Sequence, residues 1–160
     1  MDLILLLQRP GGKTLEYKRD LSTPDGLLKT LVAFANTAGG VLIVGVEDGT
    51  RRVTGVPDVL TSEERLTNML TDSILPRLVP DIEIVPWRRT HVLLVRVYPS
   101  AARPHYLARL GPVAGVFIRV GSTTRRADAA QIEEMRRFGQ TGSFDEQPMP
   151  EMNSEVLDFR

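Results

Sequence analysis

The chain has no cysteine, which excludes disulfides, thiolate zinc sites and cysteine nucleophiles. It has only two histidines, His91 and His105; they lack metal-ligand spacing and read as surface residues. No Walker-type phosphate loop is present, so ATP hydrolysis has no basis in the sequence. Long apolar runs are missing too. The N-terminal stretch Leu3–Leu7 is too short to span a membrane, and it lacks the flanks of a cleaved signal. This favours a cytoplasmic protein with no membrane partner. The sharpest local absence is of acid. Residues 84–127 hold eight arginines (88, 89, 96, 103, 109, 119, 125 and 126) and neither Asp nor Glu.

What is present is ordinary in bulk. The 160 residues are 42% hydrophobic and 25% charged, with no net charge, a composition suited to one folded domain with a substantial core. Neutrality hides segregation, because residues 128–160 carry eight acids against three arginines. Such a chain can present a strongly positive surface. The alternative is that the arginines simply occupy the outward positions of alternating strands.

Periodicity suggests a short helix over residues 2–8, a strand at 14–18, and a helix opened by Thr23 and Pro24 that ends at residues 36–40. A buried strand follows at 41–46, with residues 51–56 as a hairpin partner. Thr61 to Glu64 forms a capping box for a second long helix. Strands are expected at 82–85, 92–97 and 116–120, then a last helix capped by Asp128. The sum is a single-domain α/β (mixed α+β) fold, a mixed sheet with flanking helices. Residues 1–138 make the domain, and the polar, acidic residues 139–160 read as a tail or linker.

Gly39 and Gly40 allow the helix to stop and the chain to reverse at once. That packing role leaves Asn36, Thr37, Glu47 and Asp48 unexplained. Asn36 either ties the helix end to the following strand or touches a ligand. Asp48-Gly49 is either a hairpin turn or a ligand position. Glu16 and Lys18 alternate onto one face of their strand, as an ion pair or as an acid and lysine of a metal-dependent site. Two such carboxylates can hold a divalent cation that activates water for phosphodiester hydrolysis. Arg119, Ser122, Thr123, Arg125 and Arg126 suit phosphate recognition, with arginine forks and hydroxyl donors around Gly121. Arg103 could add a phosphate contact and Tyr106 a platform for a base, although a buried tyrosine under a loop fits as well. Trp87 reads as a packing residue.

Five fragments carry a resemblance: LEYKRDL (15–21), AFANTAGGVLIVGVEDG (33–49), VTGV (53–56), RPHYL (103–107) and FIRVGSTTRRA (117–127). In this order they resemble the Schlafen-related, Alba-type DNA-binding domain, the Schlafen AlbA-like domain common in bacteria. The resemblance spans roughly residues 3–138. It implies a mixed α/β fold and DNA or RNA as partner, in settings such as transcriptional regulators. It also implies, as an alternative, a Schlafen-type ribonuclease or nuclease with magnesium or manganese. There Glu16 and Asp48 match catalytic, metal-holding acids with Lys18 assisting, but the third acid's position is Gly11. The leading expectation is therefore a nucleic-acid-binding module with no cofactor. A homodimeric assembly module, joining the arginine-rich segment to an acidic tail, is a third reading.

Overall fold

The computed structural model describes residues 2–145, with side chains as far as residue 138. In chain order the elements are α1 (Leu3–Leu7), β1 (Leu15–Lys18), α2 (Pro24–Asn36), β2 (Gly40–Val44) and α3 (Val59–Ser73). Then come β3 (Ile74–Leu75), β4 (Asp81–Trp87), β5 (Thr90–Val97), β6 (Tyr106–Leu107) and α4 (Gly111–Ala114). The chain closes with β7 (Phe117–Val120), β8 (Thr123–Arg126) and α5 (Ala129–Asp145).

The sheet is mixed, in the order β1-β2-β5-β4. β1 lies parallel to β2, joined to it through α2, while β5 runs antiparallel to both β2 and β4. Because β2 is an inner strand covered on both sides, it is apolar throughout. Leu42 and Val44 face the core formed with α2 and α3, and Val41 and Ile43 face a second core with Leu3, Leu6 and Tyr17. Each fully buried aliphatic side chain contributes about 2 kcal/mol by area. The Tyr17 hydroxyl lies 2.7 Å from Leu6 O, in the last turn of α1, and 2.6 Å from Arg9 O, just past it, so its single proton serves the end of that helix.

The Gly-Gly reversal is a packing device. Gly39 has φ +76°, and a Cβ there would sit 2.6 Å from Val97 O. A Cβ on Gly40 would meet the Phe34 ring at 2.8 Å. The helix end and the sheet approach too closely for any other residue.

Several local expectations change. Residues 51–56 make one bridge, Val46 to Val53, rather than a strand, because the backbone of 54 and 55 turns back onto Gly45 O. α3 begins at Val59, before the expected capping box, and Asp58 precedes it in the left-handed region without a side-chain cap. Thr23 makes no capping bond, although Pro24 opens α2 as expected. Asp128 does cap α5, exchanging hydrogen bonds with Gln131. α5 continues to Asp145, past the boundary expected at 139. The rest of the expected tail lies outside the described residues.

Candidate nucleic-acid interface

β7 and β8 form a separate two-stranded ribbon that packs on α2. Gly121 (φ +58°) and Ser122 make its turn, the two-residue connection that needs left-handed backbone. Alternation sends Phe117, Arg119, Thr124 and Arg126 to the α2 side of the ribbon, and Ile118, Val120, Thr123 and Arg125 to the other. The consecutive arginines 125 and 126 therefore point in opposite directions. Both are exposed, as are Ser122 and Thr123. Thr123 donates to Val120 O at 2.7 Å and accepts from Arg125 Nε at 3.4 Å. Arg126 makes no ion pair among the described residues.

Arg119 has a different place from the one expected. Its side chain is 1% exposed and lies 2.7 Å from Glu16 Oε1. It also donates to Gly12 O at 2.8 and 3.1 Å, to Leu15 O at 3.3 Å and to Thr124 Oγ1 at 3.0 Å. With its donors so engaged it does not reach a phosphate. It pins the ribbon to the free edge of β1, where the carbonyls of an edge strand need partners.

The same pairing decides the acids. Glu16 Oε2 lies 3.9 Å from Lys18 Nζ, so the carboxylate sits between two cations. Lys18 in turn lies over the first turn of α2, with Nζ 3.6 Å from where a Gly26 Cβ would stand. Asp48 is exposed, and its Oδ1 is 4.0 Å from the Cβ position of Gly11. Burial is the main cause of the raised pKa of Tyr17; Arg51 and Arg9 oppose it, and Asp48 adds to it least. Tyr17 points to the face of β1 opposite Glu16. Glu47 is held by Arg52 at 3.0 Å and Arg19 at 3.4 Å, and the Arg52 hydrogen bond lowers its pKa. Among the described residues no three His, Cys, Asp or Glu side chains are placed to hold a metal ion. Arg119 takes Oε1 of Glu16, so a cation shared between Glu16 and Asp48 would have to use Oε2 beside Lys18.

Two of the segregated arginines, Arg109 and Arg119, find acids in the N-terminal third. Arg109 pairs with Asp25, which also binds Lys29 Nζ at 3.0 Å. The Arg109 hydrogen bond is the first cause of the lowered Asp25 pKa. Arg103 is half-buried. Its Nε donates to Ser100 O at 2.8 Å, its Nη2 to Thr37 O at 3.2 Å, and its guanidinium lies 4.0 Å from the centroid of the Phe138 ring.

His105, expected at the surface, is 1% exposed. Its Nδ1 lies 2.8 Å from Pro76 O, which only accepts, so Nδ1 carries the proton and Nε2 accepts from Ser100 Oγ at 2.6 Å. Burial is the main force lowering its pKa. Asn36 does not tie α2 to the strand that follows it. It bonds His105 N at 2.8 Å, His105 O at 3.0 Å and Phe117 O at 2.9 Å. That leaves Asn36 no free amide group for a ligand. Tyr106 packs against the buried residues under α5, and Trp87 against the second core. Sequence reasoning missed Lys13, which shares a cleft with Arg103; only its place in a Gly-Gly-Lys turn could have hinted at it.

These features define a mixed α/β domain with an arginine-bearing ribbon clamped to the edge of its sheet. A model of the Schlafen, AlbA_2 family matches residues 12–128, and the chain belongs to that family. It is similar to the solution structure of the N-terminal domain of an ATP-dependent DNA helicase RecG-related protein from Nitrosomonas europaea. The TM-score is 0.60 at 24% identity, over 78% of this chain and 90% of that one. The crystal structure of the DIP2311 protein from Corynebacterium diphtheriae is also similar, with TM-score 0.56 and 24% identity over 78% of this chain. The match spans 27% of the DIP2311 chain. No curated protein matches the sequence. Among the described residues no helix is long and apolar enough to cross a membrane.

Proposed function

We propose that the chain is a nucleic-acid-binding module that grips the phosphate backbone through the β7–β8 ribbon. The observation that carries this reading is the ribbon itself: exposed Arg125 and Arg126 on a short hairpin whose position is fixed by buried Arg119. A rigid support lowers the entropy lost when an arginine meets a phosphate. Ser122 and Thr123 add donors at the tip. Because Arg125 and Arg126 face opposite sides, they suit two phosphates flanking the ribbon rather than one chelated between them. The DNA-helicase relationship in the name of the Nitrosomonas europaea neighbour agrees with such a ligand. The Arg119 contact to Glu16 weighs against metal-dependent cleavage, because a metal would compete with a guanidinium for that carboxylate.

The test is fluorescence anisotropy with labelled single-stranded DNA, duplex DNA and structured RNA across a salt series. Binding should weaken as salt rises, and changing Arg125 and Arg126 to alanine together should reduce the log–log salt slope by about 1 to 2. Unchanged affinity and slope in that variant would remove the ribbon as the contact surface.

A further inference from the structure

Between the C-terminal end of α2, the ribbon and α5 lies a cleft of about 470 Å³, within the size range of small-ligand sites. Ile118, Met135 and Phe138 supply its apolar lining, and Lys13, Arg103 and Gln131 contribute polar groups. Arg103 is the unusual member. It is half-buried, yet no carboxylate pairs with it among the described residues, and its Nη1 has no acceptor there. Two carbonyls and one aromatic ring hold its charge without neutralising it. A guanidinium in this state is a strong attractor for an anion, because a charge-assisted bond compensates the cost of its burial. Lys13, exposed and also without an ion pair among the described residues, lines the same cleft. An anion alone would leave the apolar lining unused.

We propose that this cleft binds one nucleotide unit, with its phosphate between Arg103 and Lys13 and its base against Ile118, Met135 and Phe138. Glu134 also lines the cleft, and its negative charge opposes a phosphate placed beside it. The site is separate from the phosphate contacts on the ribbon, but Arg125 shares the face of Ile118 and so stands on the cleft side. A strand whose backbone follows the ribbon could then leave its terminal nucleotide in the cleft. That source rests on the proposed nucleic-acid reading; a free nucleotide offers the same chemistry without it.

The experiment is calorimetric titration of the full chain with adenosine 5′-monophosphate, inorganic phosphate, adenosine and a 5′-phosphorylated trinucleotide. The monophosphate should bind at least about ten-fold more tightly than phosphate or adenosine alone, since only it engages both halves of the cleft. Lys13→Glu should weaken it about ten-fold, and Glu134→Gln should tighten it about two- to five-fold. Both residues are exposed, so neither change threatens the fold, whereas Arg103 also ties two loop carbonyls. Tighter binding of the trinucleotide identifies a strand end as the source, and tighter binding of the monophosphate identifies a free nucleotide. No binding of the monophosphate, or affinity indifferent to both variants, overturns the proposal. Loss of duplex or strand binding in the Arg125 and Arg126 variant tests the ribbon alone, so the two readings fail separately.

Discussion

Replacing Arg119 by alanine removes one guanidinium that touches Gly12, Leu15, Glu16 and Thr124 together. Breaking a buried ion pair from one side costs about 3–5 kcal/mol, because the abandoned charge stays desolvated. Glu16 is 19% exposed and keeps Lys18 nearby, so water and the lysine recover part of that loss. The carbonyls of Gly12 and Leu15 lose a donor as well, although Leu15 O still accepts from Gly12 N at 2.8 Å. The expected cost is therefore about 3 kcal/mol, at the lower end of that range. With a urea m-value of about 2 kcal/mol/M, the unfolding midpoint should fall by about 1.5 M. Glu16→Gln keeps an oxygen for Arg119 but removes the charge, and should cost about 1–2 kcal/mol. A midpoint shift below about 0.5 M for Arg119→Ala would refute the assignment of Arg119 as the clamp. Glu16→Gln that abolished nuclease activity while leaving stability untouched would likewise return Glu16 to a catalytic role.

Gly39 and Gly121, both at positive φ, separate crowding from backbone strain. Gly39→Ala should cost about 3 kcal/mol, since its Cβ would strike Val97 O, whereas Gly121→Ala meets nothing within 4 Å and should cost about 1 kcal/mol; equal urea midpoints for the two would contradict the close approach. Stability should also fall in acid through His105. Its folded pKa lies below the ordinary 6.5, so above 6.5 both states are neutral and the contribution is whole. As pH drops below 6.5 the unfolded chain takes up a proton that the folded imidazole refuses, and stability is lost down through the folded pKa. Urea midpoints measured against pH should show this fall, and His105→Gln should flatten it; an identical slope in the variant counts against the buried neutral ring.

The unit from β1 through α2 to β2 was legible because its signals are local. Pro24, the helical spacing of Leu27, Leu28, Leu31 and Val32, and the two glycines each act within a few residues. The long strands β4 and β5, one exposed in alternation and one with a buried run at Val92–Val95, were legible for the same reason. β3 and β6, of two residues each, carry no periodicity at all. β8 was hidden because Thr123 to Arg126 reads as a polar turn, and its strand state depends on pairing with β7. At the site, sequence placed Arg125 and Arg126 on the surface but also placed Arg119 there. The partner that buries it, Glu16, is 103 positions away, and no local pattern records a contact at that separation. His105 was misread similarly, because its burial rests on Asn36, Pro76 and Ser100 rather than on its neighbours.

The link between Arg119 and β1 also orders events during synthesis. The first strand of the sheet leaves the ribosome long before the residue that covers its edge. Until Arg119 has been made, the carbonyls of Gly12 and Leu15 and the carboxylate of Glu16 lack their guanidinium. A contact so distant in sequence forms late, after the nearer pairings have reduced its loop-closure cost. The nascent chain therefore carries an open strand edge while the 103 positions from Glu16 to Arg119 are made, and a chain that stopped before the ribbon would keep that edge exposed.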